Sequence, residues 1–298
     1  MHHFSFGALT PSLAYLASYV GCLLGLLCAG RARVLTGAGR RGWLAIAAVS
    51  IGGTGIWVMH FIAMLGFGVS NTQIRYDMPM TAVSALVAIV AVGAGLVIVG
   101  NDARKVHRIA VAGVLTGAGV AGMHYLGMVA MVMPASLSYE PVLFGLSVLI
   151  AIVASAVALW FTLVIRGRRA TFAAAALMGV AVCGMHYTGM AAMRLTPTPG
   201  VDASGGTSFG NLMLPLLLVV SCVTVVLLIF VAFSASPAEL VAEAEFTTRL
   251  QRDIDARDRR RLPAPTRPRP TNEPLALPQQ PTPRPYDGRQ VSGNTRRY

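Results

Sequence analysis

Met185-His186-Tyr187-Thr188-Gly189-Met190 closes an apolar run that opens near Ala170. The same frame stands twice earlier, as Met59-His60-Phe61-Ile62-Ala63-Met64 and as Met123-His124-Tyr125-Leu126-Gly127-Met128. The copies start 64 and 62 residues apart. Each sets a Met before its His and another Met four residues after it. Imidazole is costly inside hydrocarbon, so three in matching places need a common reason.

Outward from these motifs the chain reads as seven apolar runs, at 9–30, 43–66, 81–100, 109–131, 142–165, 170–192 and 212–233. Each is close to the ~20 residues that a helix needs to cross a bilayer. Only 12% of the residues are charged, and between Leu9 and Phe233 every charge falls between runs. A soluble domain carries about 25%. The fold class expected is all-α, an integral membrane bundle of seven transmembrane helices built from three two-helix repeats plus one helix. The domains are a membrane unit over 1–233, a charged juxtamembrane helix over 234–261 and a disordered Pro/Arg-rich tail over 262–298.

The net charge of +12 is no signature of nucleic-acid binding, because 12 of the 24 basic residues lie after Phe233 and most others mark loops. Gaps after the first, third and fifth runs hold ten Lys and Arg; gaps after the second, fourth and sixth hold only Arg75 and Arg194. The positive-inside rule then sets the N-terminus outside and the C-terminus in the cytoplasm of a cell membrane. The first run is too long for a signal-peptide core and lacks a basic segment before it, so it reads as a span. Cys22, Cys28, Cys183 and Cys222 fall within apolar runs and read as packed thiols rather than disulfides. The basic tail reads as an anchor on anionic lipid, with docking of a cytoplasmic signalling partner as the alternative.

In this orientation His60, His124 and His186 each lie about six residues before the outer end of their run, roughly 9 Å deep. They converge if the even-numbered helices face one axis. His at i and Met at i+4 share a helix face. Imidazole with thioether is a soft donor set that suits copper over Mg, Ca or Mn, and zinc takes thioether poorly. By this spacing the metal candidates are His60 with Met64, His124 with Met128 and His186 with Met190, while the Met before each His points about 100° away and faces a neighbouring helix. Tyr125 and Tyr187 follow their His directly and are candidates for supporting hydrogen bonds. Interhelical hydrogen bonding and a proton pathway are the other readings, but the repeated Met favours ligation. Haem between two axial His would leave the third without a role, which places it behind copper. There is no Ser/His/acid set, phosphate loop or paired intramembrane carboxylate, so no enzyme is expected.

These residues resemble the MHYT domain family of bacterial membrane modules. The match to its motif is complete at Met185-His186-Tyr187-Thr188, partial at Met123-His124-Tyr125 with Leu126, and weaker at Met59-His60 with Phe61 and Ile62. Leu16-Ala17-Ser18-Tyr19 resembles the family's opening segment. The resemblance implies a seven-helix sensor that senses a diatomic gas, O2, CO or NO, and binds copper near the outer face through Met and His residues, which here are the metal candidates Met59, His60, Met123, His124, Met185 and His186. Its members often carry cyclic di-GMP domains, for which the roughly 65 residues after the last run leave no room. Signal output would then pass through the tail or a partner. The alternative class is a small copper transporter or metal-delivery subunit, which would need polar groups continuing into the inner half of the membrane.

Overall fold

A computed structural model describes residues 7–68, 74–197 and 206–261. Its order is α1 (Leu9–Val34), α2 (Gly37–Ala48), a π-helical stretch (Val49–Val58), α3 (Met59–Met64), β1 (Arg75–Tyr76), α4 (Met78–Val99) and α5 (Val106–Val129). Then follow β2 (Met131–Val132), β3 (Ala135–Tyr139), α6 (Pro141–Val164), α7 (Arg168–Ala192), β4 (Met193–Pro197), β5 (Thr207–Ser208), α8 (Phe209–Phe233) and α9 (Pro237–Arg261). Among the described residues seven helices are long and apolar enough to cross a membrane, with α2, the π stretch and α3 forming one of them.

The three motifs end α3, α5 and α7, and the strands gather at that end of the bundle. β1 pairs antiparallel with β2 and β5, so loops following all three motif helices meet in one small sheet. β3 pairs with β4 from Ala135↔Pro197 to Tyr139↔Met193. An all-α reading misses these strands. They are two to five residues long and lie in loops, too short for a period-two pattern to register. The pairing satisfies backbone groups where the helices stop: Asp77 N–H donates to Ala130 O at 2.9 Å, and Glu140 N–H to Ala192 O at 2.8 Å. The opposite end of the bundle carries ten of the twelve basic residues before Phe233, while Arg75 and Arg194 stand in β1 and β4.

Apolar side chains gain little by leaving lipid for one another, so close backbone packing must hold the helices. Gly21 of α1 lies so close to Gly55 of the π stretch that a Cβ there would overlap the Gly55 backbone. The run Gly52-Gly53-Thr54-Gly55 adopts wide π turns at this contact, a distortion frequent beside functional sites. Trp57 Nε1–H donates to Ser84 Oγ at 2.9 Å and ties the same stretch to α4.

Helix α1 runs past the first apolar run and buries Arg31, which is 6% exposed. An unpartnered guanidinium there would be costly, and this one is partnered. Arg31 donates to Val231 O at 2.7 Å, Ala235 O at 3.1 Å and Ser234 O at 3.3 Å. These carbonyls lie at the C-terminal end of α8, where helical partners run out. The described part of the tail is helical from Pro237 to Arg261; the expected disordered segment 262–298 lies outside the described residues.

Candidate metal centre

The three motif helices bring His60, His124 and His186 together in the bundle interior, each at most 1% exposed. His60 Nδ1 lies 3.0 Å from His186 Nδ1 and 3.1 Å from His124 Nδ1. Ring centroids are 5.0, 5.0 and 5.1 Å apart, with planes inclined at 85°, 80° and 88°. This is a three-bladed arrangement with one nitrogen of each ring turned inward. Among the described residues it is the group of three His, Cys or acidic side chains able to share an ion.

Hydrogen bonding alone accounts poorly for this geometry. A neutral Nδ1 has one in-plane position, filled by a proton or a lone pair. His60 Nδ1 faces two Nδ1 neighbours and can bond directly to only one. A cation at the centre would use all three lone pairs. Metal–imidazole bonds of about 2.0–2.1 Å would set the nitrogens about 3.3–3.6 Å apart, within a few tenths of the observed pairs. The residues present therefore fit a three-coordinate or capped metal ion.

The motif glycines seat the imidazoles, a role not read from the sequence. A Cβ at Gly127 would come within 2.6 Å of His60 Nε2, and one at Gly189 would overlap His124 Nε2. Each ring lies over the glycine of the next motif helix. Both glycines stand three residues after a His, which is the signal that could have found them. The first copy has Ala63 at that position. Nε2 of His60 and of His124 finds no hydrogen-bond partner among the described residues.

Met59, Met64, Met123, Met128, Met185 and Met190 are all buried, at 0 to 3% exposure. Three residues after Met64, Met128 and Met190, just past the helices, Phe67, Met131 of β2 and Met193 of β4 are buried too. Tyr125 turns its hydroxyl away from the trio. Successive helical residues point about 100° apart, so a Tyr directly after a His turns its hydroxyl elsewhere. The Tyr125 hydroxyl lies 2.6 Å from Ser147 Oγ rather than on an imidazole, and its ring meets His124 edge-on at 4.9 Å. Tyr187 meets His186 in the same way at 5.0 Å. Cys183, three residues before His186, is a buried free thiol.

Residues 53–112 and 117–175 match the family model described as MHYT, bacterial signalling protein N terminal repeat. The chain belongs to the MHYT family. Each matched segment opens just before a motif and runs through the following helix, so the repeat begins with its motif helix. The chain is 37% identical over 219 residues to the bifunctional diguanylate cyclase/cyclic di-GMP phosphodiesterase MucR of Pseudomonas aeruginosa, covering 72% of this chain and 31% of MucR. It is 37% identical to the cyclic di-GMP phosphodiesterase NbdA of the same organism, covering 69% of this chain and 27% of NbdA. It is 32% identical to the signaling protein YkoW of Bacillus subtilis, covering 64% of this chain and 24% of YkoW. The chain thus spans under a third of the length of these relatives, and what it shares is the MHYT membrane sensor module. No solved structure matches it.

Proposed function

We propose that this MHYT module is a membrane sensor whose three histidines hold one copper ion and whose ligand is an uncharged diatomic gas or copper itself. The observation that carries the reading is the convergence of the Nδ1 atoms of His60, His124 and His186. Neutral nitrogens at that spacing, in a bundle rich in thioethers, suit a soft ion. Met64, Met128 and Met190, one turn beyond each His, are the proposed additional donors, with Met59, Met123 and Met185 before them. Copper held there would supply a redox-active, soft Lewis-acid centre. The residues' part is to hold the rings turned inward, to keep water away and to keep the imidazoles neutral.

In the proposed orientation the motif end faces outward and the basic end faces the cytoplasm, as the loop charges favour. The names of MucR and NbdA support an output through cyclic di-GMP chemistry, carried in this system by another segment or partner rather than by the membrane module. Transport is disfavoured by the buried methionine layer on one side of the trio and the apolar side chains on the other.

Metal analysis of the purified protein tests the reading. The wild type is expected to hold about one copper per chain, and the variant with all three His changed to Ala is expected to hold none. Copper retained in that variant at wild-type level overturns the assignment.

A further inference from the structure

The two faces of the histidine trio differ. Toward the strand end, Met64, Met128 and Met190 stand four residues after each His and are closely packed at 1, 0 and 3% exposure. Toward the basic end the bundle holds a cavity of about 50 Å³. Its walls include Ile56, Val120 and Val182. These stand four residues before His60, His124 and His186, one on each motif helix. Side chains four apart lie one above the other on an α-helix, so Val120 and Val182 lie one turn beneath His124 and His186, and the cavity they line, with Ile56 of the π stretch, lies on the basic-end side of the trio. It reaches back a further turn to Thr116 and Met178, each eight residues before its His, and Met185 stands at its upper edge.

The lining fixes what can enter. It is apolar apart from the Cys22 thiol and three hydroxyls, and two of the hydroxyls are engaged: Thr162 Oγ1–H donates to Leu159 O at 2.6 Å and Thr116 Oγ1–H to Ala91 O at 3.2 Å. An ion would lose its hydration there without replacement. A water needs only about 10–15 Å³ but also two to four polar partners, whereas apolar cavities stay dry and take up xenon or small hydrocarbons. Helix α6 keeps the space open by presenting small side chains, Ala151, Ala154 and Ala158.

We infer that this cavity is the docking site of the sensed ligand, an uncharged molecule of diatomic size, which approaches the trio from its basic-end face beneath Met185. The inference rests on the proposed metal centre and deepens it. It selects a neutral gas over an exchanging ion as the signal, and it assigns specificity to Ile56, Val120, Val182 and the alanines of α6 rather than to the histidines.

The test uses the full chain in lipid nanodiscs, with xenon and carbon monoxide as probes. Xenon needs no metal and is followed by its NMR shift; carbon monoxide on Cu(I) is followed by its infrared stretch. The wild type is expected to take up xenon. Ala154→Leu and Ala158→Leu are expected to keep wild-type copper, lose xenon and bind carbon monoxide roughly tenfold more slowly, the factor given by about 1.4 kcal/mol of added barrier. Leu159→Ala, which enlarges the space, is expected to increase xenon uptake. Absence of xenon from the wild type overturns the inference, as does carbon monoxide binding at wild-type rate in the filled variants. Should the Leu variants fail to fold, xenon in the wild type and in Leu159→Ala still decides. Wild-type protein without copper defeats the metal centre, while the xenon result separately judges the cavity.

Discussion

The Nδ1 atoms of His60 and His186 lie 3.0 Å apart although 126 residues separate them. No local element could produce this contact; it requires the first and third motif helices to close around the second. Removing one ring should therefore empty the site. His124→Ala leaves two donors and is expected to lower copper affinity by more than the roughly 10–100-fold that loss of a mere supporting contact costs. Titration against a Cu(I) chelator measures this, and near-wild-type affinity would mean that two rings suffice and the third is structural.

The glycine seats give a second prediction. Gly127→Ala pushes a methyl toward His60 Nε2, and the ring must move. Overpacking of this kind costs about 1–3 kcal/mol, and copper affinity should fall as the trio loses register. Thr188→Ala, one residue before Gly189, is the control. Its Oγ1 bonds back to Gly184 O at 2.7 Å, away from the trio, so metal content should not change. Parallel melting and metal analysis of the two variants separate a displaced ring from a general loss of fold.

Tyr125→Phe removes a hydroxyl that lies 2.6 Å from Ser147 Oγ. A hydrogen bond of this kind contributes about 1 kcal/mol. Because the ring against His124 is kept, copper content and spectrum are expected to stay at wild type while the melting temperature drops by a few degrees. A changed copper spectrum would show that the hydroxyl reaches the centre electronically.

Arg31 ties α1 to the last turn of α8 through Val231 O, Ser234 O and Ala235 O. It also lies 5.2 Å over the Trp43 ring, which packs on Phe230. Arg31→Met keeps the apolar stem and removes the donors. Charged hydrogen bonds contribute about 1.5–3 kcal/mol each, so residues 231–237 should become the first site of proteolysis. A cleavage pattern unchanged from wild type would show that lipid headgroups or water replace the guanidinium.

What could be read from the chain follows from how locally each feature is encoded. The spans are written in uninterrupted apolar runs, and the trio in a histidine that recurs at 64 and 62 residues, so both were legible. The strand sheet was not, because Arg75–Tyr76 and Thr207–Ser208 are pairs whose structure exists only through partners in other loops. The bond of Tyr125 to Ser147 depends on the rotation of α5 against α6, which no single-helix pattern contains. Gly127 and Gly189 were visible as letters, but their purpose appears only once another helix's ring lies on them. The cavity is the extreme case: it is made by what Ala154 and Ala158 do not fill.

Glu140 yields the last prediction, at the end of the bundle where α6 begins. Its carboxylate caps the helix, accepting from Leu143 N–H at 2.8 Å and Val142 N–H at 3.1 Å. Those two amides, the Leu143 bond foremost, hold its pKa below the ordinary carboxylate value, and Arg194 adds to the effect. A depressed folded-state pKa means that the cap's stabilising contribution is complete above the unfolded-state value, about 4.3 for Glu. It is lost as pH falls through the lower folded value. Amide exchange at Val142 and Leu143 should therefore stay slow at pH 5 to 7, once corrected for the intrinsic rate, and quicken at lower pH. Glu140→Gln should exchange faster than wild type at neutral pH and lose this acid-dependent step. A step surviving unchanged in Glu140→Gln would assign it to another group.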